Sequence, residues 1–454
     1  MENYEDLTID DVLNASKKDV ETWHKSFGNS DFVTFLKLVN AVRKYERSSG
    51  LNVWDSEGKE YTDFFAGVAS LAVGHNHPRM VEAIEKVLPE TAKLTQSSLS
   101  SFGGALKAKL AAVTPGDLTT SFLCHSGAEA VEGAIKLARA ATGRKKLVST
   151  EGGYHGKTMG ALSITGKEYY QIPFRPLIPE CYIIPYNDLK ELEKILSGSD
   201  VAAFIVEPIQ GEAGVIIPDD GYLKGASELC KKYGTLLIAD EVQTGIGRTG
   251  RMFACEWEDV TPDVMTMAKS LSGGMVPIGA FITTRKIWQQ AFGGLKKSLQ
   301  HTTTLGGNTL ACAAAIETLN IIKDENLVAN AEQVGGYFID QLKTLADSYG
   351  IIKEVRGKGL LIGVEFVKMR SKIVQQTTED TFTTVASLIA SDLLNNHNVI
   401  TGFKLNNPNT IRLVPPLSIS REEVDAFISA LSKSCAKNKS YTRALFSTAK
   451  NLLR

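Results

Sequence analysis

The sequence predicts an α/β fold around a mostly parallel sheet, accompanied by a smaller α+β region. Short apolar runs of strand length alternate with amphipathic stretches through the middle of the 454-residue chain. No internal repeat or low-complexity tract interrupts this alternation. The chain ends differ, with helix signals before residue 45 and mixed helices and strands after about residue 330.

Each predicted element of the middle region follows from a local pattern. A strand at 121–123 precedes a helix whose apolar residues recur at i, i+3, i+4 and i+7, at positions 131, 134, 135 and 138. Further strands are predicted at Val201–Val206, 235–239 and 264–268, with a helix at 223–233 after the first of them. We therefore expect a large domain over residues 61–330.

The flanking regions are predicted to form an N-terminal segment over residues 1–60 and a C-terminal small domain over 331–454. A first helix is expected to start near Asp10-Asp11. The C-terminal pattern predicts a long helix, a strand at 360–367, a charged loop, another helix and a strand at 411–414.

Composition argues against several classes of protein. Lys and Arg (50) nearly balance Asp and Glu (51), so the net charge of -1 gives no reason to expect nucleic acid or an anionic membrane as a partner. No apolar run is long enough to span a bilayer, and the acidic start lacks the apolar region of a secretory signal. The six cysteines form no C-x-x-C pair, which argues against a metal site or a disulfide framework and favours a reducing cytoplasm.

Two glycine-rich stretches resemble nucleotide-binding motifs in sequence but lack the spacing that these motifs require. G-x-G-x-x-G occurs at 245–250, but residues 240–244 separate it from the preceding strand and no clear ribose-binding acid ends a following strand. Gly156-Lys157-Thr158 looks like the end of a P-loop, but Glu151 occupies the position of its first glycine. The spacing therefore argues against a nicotinamide or P-loop enzyme.

The segment CHSGAE at 124–129 joins a predicted strand to the amphipathic helix. Small residues at a helix N-terminus leave backbone N–H groups free to bind an anion, and the helix dipole assists. The same residues also fit ordinary capping, with Ser126 as the N-cap and Glu129 three residues later. Both interpretations remain open on this segment alone.

Two ionisable residues come directly after apolar strands. Asp240 follows the strand at 235–239, at the end where α/β folds place ligands, and a buried carboxylate there needs a partner such as a protonated ring nitrogen. Lys269 follows the strand at 264–268, where burial would lower its pKa and make it nucleophilic. Considered singly, each residue could equally be a solvated surface group.

The order of these three features favours a common cofactor-binding site over a chance occurrence. Pyridoxal phosphate needs a cradle for its phosphate, an acid for its pyridine nitrogen and an amine for its aldehyde. An anion-binding turn, a strand-end acid and a strand-end amine occur in that order on successive α/β units. The sequence therefore predicts that pyridoxal phosphate is carried as a Schiff base on Lys269.

From about residue 53 to 417 the chain resembles the class III aminotransferases, which are fold type I enzymes. The resemblance rests on six motifs in a specific order: SGAEA at 126–130, GYHGK at 153–157, EPIQGE at 207–212, DEVQTG at 240–245, AKS at 268–270 and TTLGGN at 303–308. It implies a central, mostly parallel sheet flanked by helices, with a smaller α+β domain built from both chain ends.

The resemblance also implies roles for individual residues. Lys269 and Asp240 would be catalytic, with Asp240 keeping the pyridine nitrogen protonated. The phosphate would be bound by the backbone N–H groups of two residues and a neighbouring hydroxyl, namely Gly127, Ala128 and Ser126. The remaining cofactor contacts would be Tyr154 and Val242 on the two ring faces, Gln243 near the ring hydroxyl, and Glu207.

Three further residues are implied to act at the substrate or across an interface. Thr304 would bind the phosphate of the neighbouring subunit, which implies a homodimer, or a dimer of dimers, with active sites at the subunit interface. Arg412 would grip a substrate α-carboxylate in bidentate fashion, unless it is an ordinary exposed strand arginine. Glu212 would pair with Arg412 when the substrate has no α-carboxylate.

Within the family, residues 29–32, 301–304 and 404–407 look most like putrescine aminotransferases. Val68 stands where ornithine aminotransferases carry a substrate-contacting tyrosine, and an apolar side chain suits an amine without a polar amino-acid head at that point. We expect a ping-pong transfer of the terminal amino group of a putrescine-like diamine or ω-amine to a 2-oxo acid, 2-oxoglutarate being the expected acceptor. The alternatives are a broad amine or ω-amino acid–pyruvate aminotransferase, an ornithine, acetylornithine or 4-aminobutyrate type, and a non-catalytic α/β binding protein.

Overall fold

A computed structural model describes residues 4–92, 98–367, 384–402 and 406–438. The N-terminal region begins with three helices, Ile9–Asn14 (α1), Lys17–Phe27 (α2) and Ser30–Leu38 (α3). Thr8 and Ser16 cap the first two helices through their side chains, so the first helix starts one residue before the predicted Asp10. Three antiparallel strands follow: Tyr45–Ser49 (β1), Asn52–Asp55 (β2) and Glu60–Asp63 (β3).

A seven-stranded sheet forms the centre of the protein. In chain order its strands are Leu118–Cys124 (β4), Lys146–Thr150 (β5), Cys181–Ile184 (β6), Val201–Val206 (β7), Leu236–Asp240 (β8), Val264–Met267 (β9) and Gly279–Thr284 (β10). Their order across the sheet is β4-β10-β9-β8-β7-β5-β6. β10 is antiparallel to both neighbours and the remaining pairs are parallel, which confirms the predicted mostly parallel α/β sheet.

Helices cover both faces of this sheet. Every residue of β7 is buried, as expected for a strand with packing on both sides. Phe204 and Val206 belong to one core cluster, whereas Ala203 and Ile205 belong to another, because successive side chains point to opposite faces. The helices before the C-terminal region are Pro78–Glu90 (α4), Ser101–Val113 (α5), Gly127–Thr142 (α6), Met159–Ser163 (α7), Glu168–Gln171 (α8), Leu189–Leu196 (α9), Tyr222–Tyr233 (α10), Arg285–Phe292 (α11) and Thr309–Asp324 (α12).

The C-terminal region combines helices with a small antiparallel sheet. Its helices are Leu327–Ser348 (α13), Val385–His397 (α14) and Arg421–Lys437 (α15). Ile352–Lys358 (β11), Leu361–Phe366 (β12) and Thr410–Leu413 (β14) form the sheet, in which Gly363 is opposite Arg412. Val399–Ile400 (β13) pairs instead with β3, so the two chain ends share a sheet. The predicted charged loop falls largely within residues 368–383, outside the described residues.

Two differences from the sequence prediction affect the site. Asp240 is the last residue of β8 rather than the residue after it, and Lys269 opens a 3-10 turn, Lys269–Ser272. β11 was not predicted, and it forms a hairpin with β12 through a two-residue turn. None of the described helices combines the length and the apolar character that crossing a lipid bilayer requires.

Candidate active site

The carboxyl ends of the parallel strands lie at one edge of the central sheet, and the residues that follow them line a cavity of about 420 Å³. Parallel strands direct their following loops to the same edge, so residues distant in sequence meet there. Ten of the residues predicted from the sequence line it: Ser126, Gly127, Ala128, Tyr154, Glu207, Glu212, Asp240, Val242, Gln243 and Lys269.

The Asp240 carboxylate lies at this edge and is almost fully buried. Its Oδ1 accepts hydrogen bonds from the Thr266 hydroxyl (2.9 Å) and from the backbone N–H of Val242 (3.2 Å). The first contact follows from sheet register, since Asp240 of β8 is opposite Thr266 of β9. A carboxylate has about four acceptor positions. Asp240 therefore retains capacity for a further donor from the cavity.

His155 occupies the other carboxylate oxygen, with 2.7 Å between its Nδ1 and Asp240 Oδ2. Burial lowers the pKa of His155, but the hydrogen bond and charge of Asp240 more than offset this effect, so the pKa is raised. The Nε2 atom is buried without a hydrogen-bond partner among the described residues. We did not predict this residue as part of the site, although it stands in the GYHGK motif at 153–157, which was the available signal.

Lys269 lies in the cavity with an unusual backbone conformation, φ +41°. Burial is the main cause of a lowered pKa for its amine, and the nearby Arg412 charge adds to it. Glu212, Glu207 and Asp240 oppose this shift. A buried amine with a lowered pKa is available as a nucleophile, as the sequence predicted for this position.

Glu207 follows β7 and binds two backbone segments at the cavity. Its carboxylate accepts the N–H of Tyr154 at 2.8 Å and the N–H of Gly211 at 3.1 Å. Burial raises its pKa to about 7, and the Asp240 charge contributes in the same direction. The observed contacts fix the loop that carries Tyr154, whose ring lies half-buried at the cavity.

The N-terminus of α6 opens into the same cavity. The Ser126 hydroxyl accepts the N–H of Glu129 at 3.2 Å, so the predicted cap is present at a helix end that also faces the cavity. A Cβ atom on Gly127 would lie 2.7 Å from Cγ1 of Val242. The glycine therefore allows the helix end to approach the Val242 side chain closely.

Arg412 lies behind the cavity wall and is 2% exposed. One of its guanidinium nitrogens donates to Glu212 Oε1 at 2.5 Å and to Gln243 Oε1 at 2.9 Å, and both acceptor residues line the cavity. Its Nε and the Gln243 amide nitrogen are buried without partners among the described residues. The arginine is thus a buried, ion-paired residue, which excludes the alternative of an exposed strand arginine.

Besides Arg412, two predicted residues do not line the cavity in the single chain. Val68 is half-buried and lies two residues before Ser70, which does line it. Thr304 is absent from the described lining as well. Lys404 and Leu405, part of the 404–407 stretch, lie outside the described residues.

Several lining residues were not predicted, and five of them lie between Lys269 and β10: Ser272, Gly274, Val276, Pro277 and Ile278. The loop has no distinctive chemistry, so only its position after Lys269 could have suggested it. Its neighbours in the cavity also include Lys157, which belongs to the motif that looked like the end of a P-loop.

The residues present fit pyridoxal phosphate. A helix N-terminus with a close-approach glycine suits a phosphate, and a buried amine suits an aldehyde. The Asp240 carboxylate, with spare acceptor capacity, suits a protonated pyridine nitrogen. Together with the α/β sheet, these features define a pyridoxal-phosphate-dependent aminotransferase.

The chain belongs to the class III aminotransferases, because the family model described as aminotransferase class-III matches residues 37–435. Similar solved structures include the ornithine aminotransferase of Toxoplasma gondii ME49, with 32% identity, a TM-score of 0.83, and coverage of 94% of this chain and 96% of that one.

Two other similar structures are of enzymes named for different substrates. The acetylornithine aminotransferase of Elizabethkingia anophelis is 35% identical, with a TM-score of 0.72 over 87% of this chain and 94% of its own. An amine transaminase from an uncultivated Pseudomonas species, in its pyridoxal-phosphate-bound form, is 30% identical, with a TM-score of 0.79 and the same coverage of both chains. These relatives support aminotransferase activity and the cofactor, while their substrates differ.

Proposed function

We propose that this enzyme moves the terminal amino group of a putrescine-like diamine or ω-amine to a 2-oxo acid, with 2-oxoglutarate as the acceptor. The observation that carries this proposal is the buried ion pair between Arg412 and Glu212 beside Lys269. With Glu212 bound, Arg412 presents no free cation to a substrate that itself brings positive charge.

The same ion pair also accounts for the second substrate. A 2-oxo acid brings an α-carboxylate, which can replace Glu212 as the partner of the Arg412 guanidinium. An unpaired charge in a buried site is strongly unfavourable, so Arg412 needs one carboxylate or the other at each stage. Glu212, whose side chain is more exposed than that of Arg412, is the partner better able to move.

The proposed chemistry assigns a task to each buried group. Pyridoxal phosphate, when bound, supplies an aldehyde that condenses with amines and a ring that withdraws electrons. Lys269 would hold the cofactor through its Nζ, and the same amine would carry a proton between the two reacting carbon atoms. Asp240, oriented by His155 and Thr266, keeps the proton on the ring nitrogen.

The remaining assignments concern the cofactor's surroundings and the assembly. We assign phosphate binding to Ser126, Gly127 and Ala128, ring contacts to Tyr154 and Val242, and a contact near the ring hydroxyl to Gln243. We further propose that Thr304 acts in the neighbouring subunit of a homodimer or a dimer of dimers. The six cysteines form no disulfide within the described residues, which suits a reducing cytoplasm.

A second candidate is an ornithine- or acetylornithine-type aminotransferase, favoured by the similarity to such enzymes over most of both chains. The apolar Val68 supports the diamine instead, because it offers no hydrogen bond to an amino-acid head group. A panel of putrescine, cadaverine, ornithine, acetylornithine and 4-aminobutyrate, each tested with 2-oxoglutarate and with pyruvate, distinguishes the candidates. Preference for ornithine or acetylornithine over the diamines would contradict the proposal.

The ion-pair model is tested by measuring each half-reaction separately through cofactor absorbance in a stopped-flow instrument. Arg412→Ala should slow the reaction with 2-oxoglutarate by about a hundredfold, which corresponds to losing roughly 3 kcal/mol of charge-assisted binding, and should slow the diamine half-reaction only modestly. Glu212→Ala should mainly weaken the diamine half-reaction. Arg251→Ala, which breaks an exposed ion pair with Glu332, is the control and should change neither half-reaction. Equal losses in both half-reactions for both site variants would contradict the model.

A further inference from the structure

Four consecutive residues beside the cavity have a left-handed backbone. Their φ angles are +44° for Ala66, +57° for Gly67, +61° for Val68 and +67° for Ala69. Hydrogen bonds close this turn, from the N–H of Ala69 to the Phe65 carbonyl and from the N–H of Leu71 to the Ala66 carbonyl, each at 3.1 Å. Residues with a Cβ atom disfavour this conformation, so three of them in one turn persist only where the surroundings hold them.

Side chains hold the turn at both of its ends. At the start, Asp63 Oδ1 accepts the N–H groups of Phe65 and Ala66, each at 2.9 Å. At the end, the Ser270 hydroxyl donates to the carbonyl of Ala69 at 2.8 Å. The two contacts connect the left-handed turn to β3 on one side and to the Lys269 loop on the other.

The contact from Ser270 joins two strained segments. Ser270 is buried and directly follows Lys269, whose own φ is +41°. Ser70, one residue after the turn, lines the cavity together with Lys269. The Ser270 hydroxyl therefore gives the turn a direct hydrogen bond to the residue that follows Lys269.

We propose that Ser270 is a positioning residue whose hydroxyl ties the left-handed turn at 66–69 to Lys269. This hydrogen bond fixes the position of the turn relative to the lysine amine. It thereby determines where a substrate amine approaches the cofactor. The inference rests on the proposed role of Lys269 and is independent of which amine is the natural substrate. Without the hydroxyl, the turn loses one of its two anchors and relaxes.

The first test measures hydrogen exchange by mass spectrometry on the full-length apoenzyme, without any assay of activity. Ser270→Ala should increase amide exchange in peptides covering residues 64–72 by about fivefold, the effect of one lost hydrogen bond, and leave peptides covering Val201–Val206 unchanged. Ser434→Ala is the matched control, because Ser434 is a buried serine whose hydroxyl has no described partner. Unchanged exchange at 64–72 in Ser270→Ala would overturn the proposal.

The second test uses the holoenzyme and follows the pH titration of the cofactor absorbance, which reports on the Lys269 nitrogen. Ser270→Ala should shift this titration and lower kcat about tenfold, whereas Ser270→Thr, which retains a hydroxyl, should restore both. Asp63→Ala removes the acceptor at the opposite end of the turn and should shift the titration in the same direction. Faster exchange with an unaltered titration would show a purely structural contact and overturn the positioning role. A wild-type enzyme that carries no cofactor on Lys269 would instead contradict the proposed function. The hydrogen-exchange result on the apoenzyme would not be affected.

Discussion

The His155 side chain orients the Asp240 carboxylate. Its Nδ1 atom lies 2.7 Å from the Asp240 carboxylate, and both side chains are buried. This hydrogen bond fixes the orientation of the Asp240 carboxylate, which is proposed to hold a proton on a pyridine nitrogen. The neighbouring Glu207 carboxyl, with a pKa raised to about 7, is the third ionisable member of this buried group.

The His155 contact predicts a pH-dependent contribution to stability. Because its folded pKa is raised above the ordinary 6.5, the contribution is fully present below 6.5 and is lost as the pH rises through the folded pKa. We expect His155→Gln to lower the free energy of unfolding of the apoenzyme by about 3 kcal/mol on the acidic side, and by less at alkaline pH. Urea unfolding across this pH range measures the difference, and a deficit that grows with pH would contradict the assignment.

Lys269 and Asp240 predict different losses when replaced. Lys269→Ala should abolish turnover and leave the fold intact, whereas Asp240→Asn should retain cofactor and lose activity severely, since an amide cannot stabilise the protonated ring. Borohydride reduction of the wild-type enzyme followed by peptide mass spectrometry should place the phosphopyridoxyl group on Lys269. Its recovery on another lysine, or a near-normal rate for Asp240→Asn, would refute these roles.

At the level of elements, the site is produced by the sheet. β7, β8 and β9 are parallel neighbours, so Glu207, Asp240 and Lys269 emerge at one edge although the chain separates them by tens of residues. α6 begins at the same edge and supplies the N-terminus that faces the cavity. The approach of α6 to Val242, two residues after β8, depends on Gly127.

Gly127→Ala tests this close approach. The added methyl group would lie 2.7 Å from Val242 Cγ1, and overpacking of this kind costs about 1–3 kcal/mol. We expect cofactor affinity to fall by about tenfold while the far-ultraviolet circular dichroism is unchanged. Gly336→Ala is the control, since an added Cβ there meets nothing within 4 Å and should slightly stabilise α13. Unchanged cofactor affinity in Gly127→Ala would show that a methyl group fits at the end of α6, and it would contradict the need for a glycine there.

At the level of the whole molecule, the C-terminal region contributes Arg412, the residue proposed to bind the substrate carboxylate. Arg412 belongs to β14, which pairs with β12, yet its guanidinium reaches Glu212 and Gln243 in the loops after β7 and β8. The pairing of β3 with β13 fastens the two chain ends together beside this contact. The boundaries near residues 60 and 330 stay a prediction.

Thr304 is the residue proposed to connect the site to a neighbouring subunit. If it binds the phosphate held by a neighbouring subunit, Thr304→Ala should weaken cofactor binding by about 1.5–3 kcal/mol without altering the cavity of its own chain. Cofactor titration combined with sedimentation velocity measures affinity and oligomeric state together. A monomer that binds the cofactor tightly would contradict the shared site.

The sequence determined the α/β class and most of the residues that line the candidate site, because continuous apolar strands and the motifs that follow them are local features. Val201–Val206 was predicted to the residue, since a strand buried on both faces is a continuous apolar run. β1 was not predicted, because four of its five residues are exposed and its sequence lacks alternation.

Tertiary structure alone decided three further features. The pairing of His155 with Asp240 joins residues 85 positions apart, and local patterns carry no information on such distances. The burial of Arg412 and its ion pair with Glu212 arise from the packing of β14 against loops of the central sheet. The left-handed turn at 66–69 contradicts the backbone preference of its own alanines and valine, so only contacts from elsewhere, through Asp63 and Ser270, hold it in place.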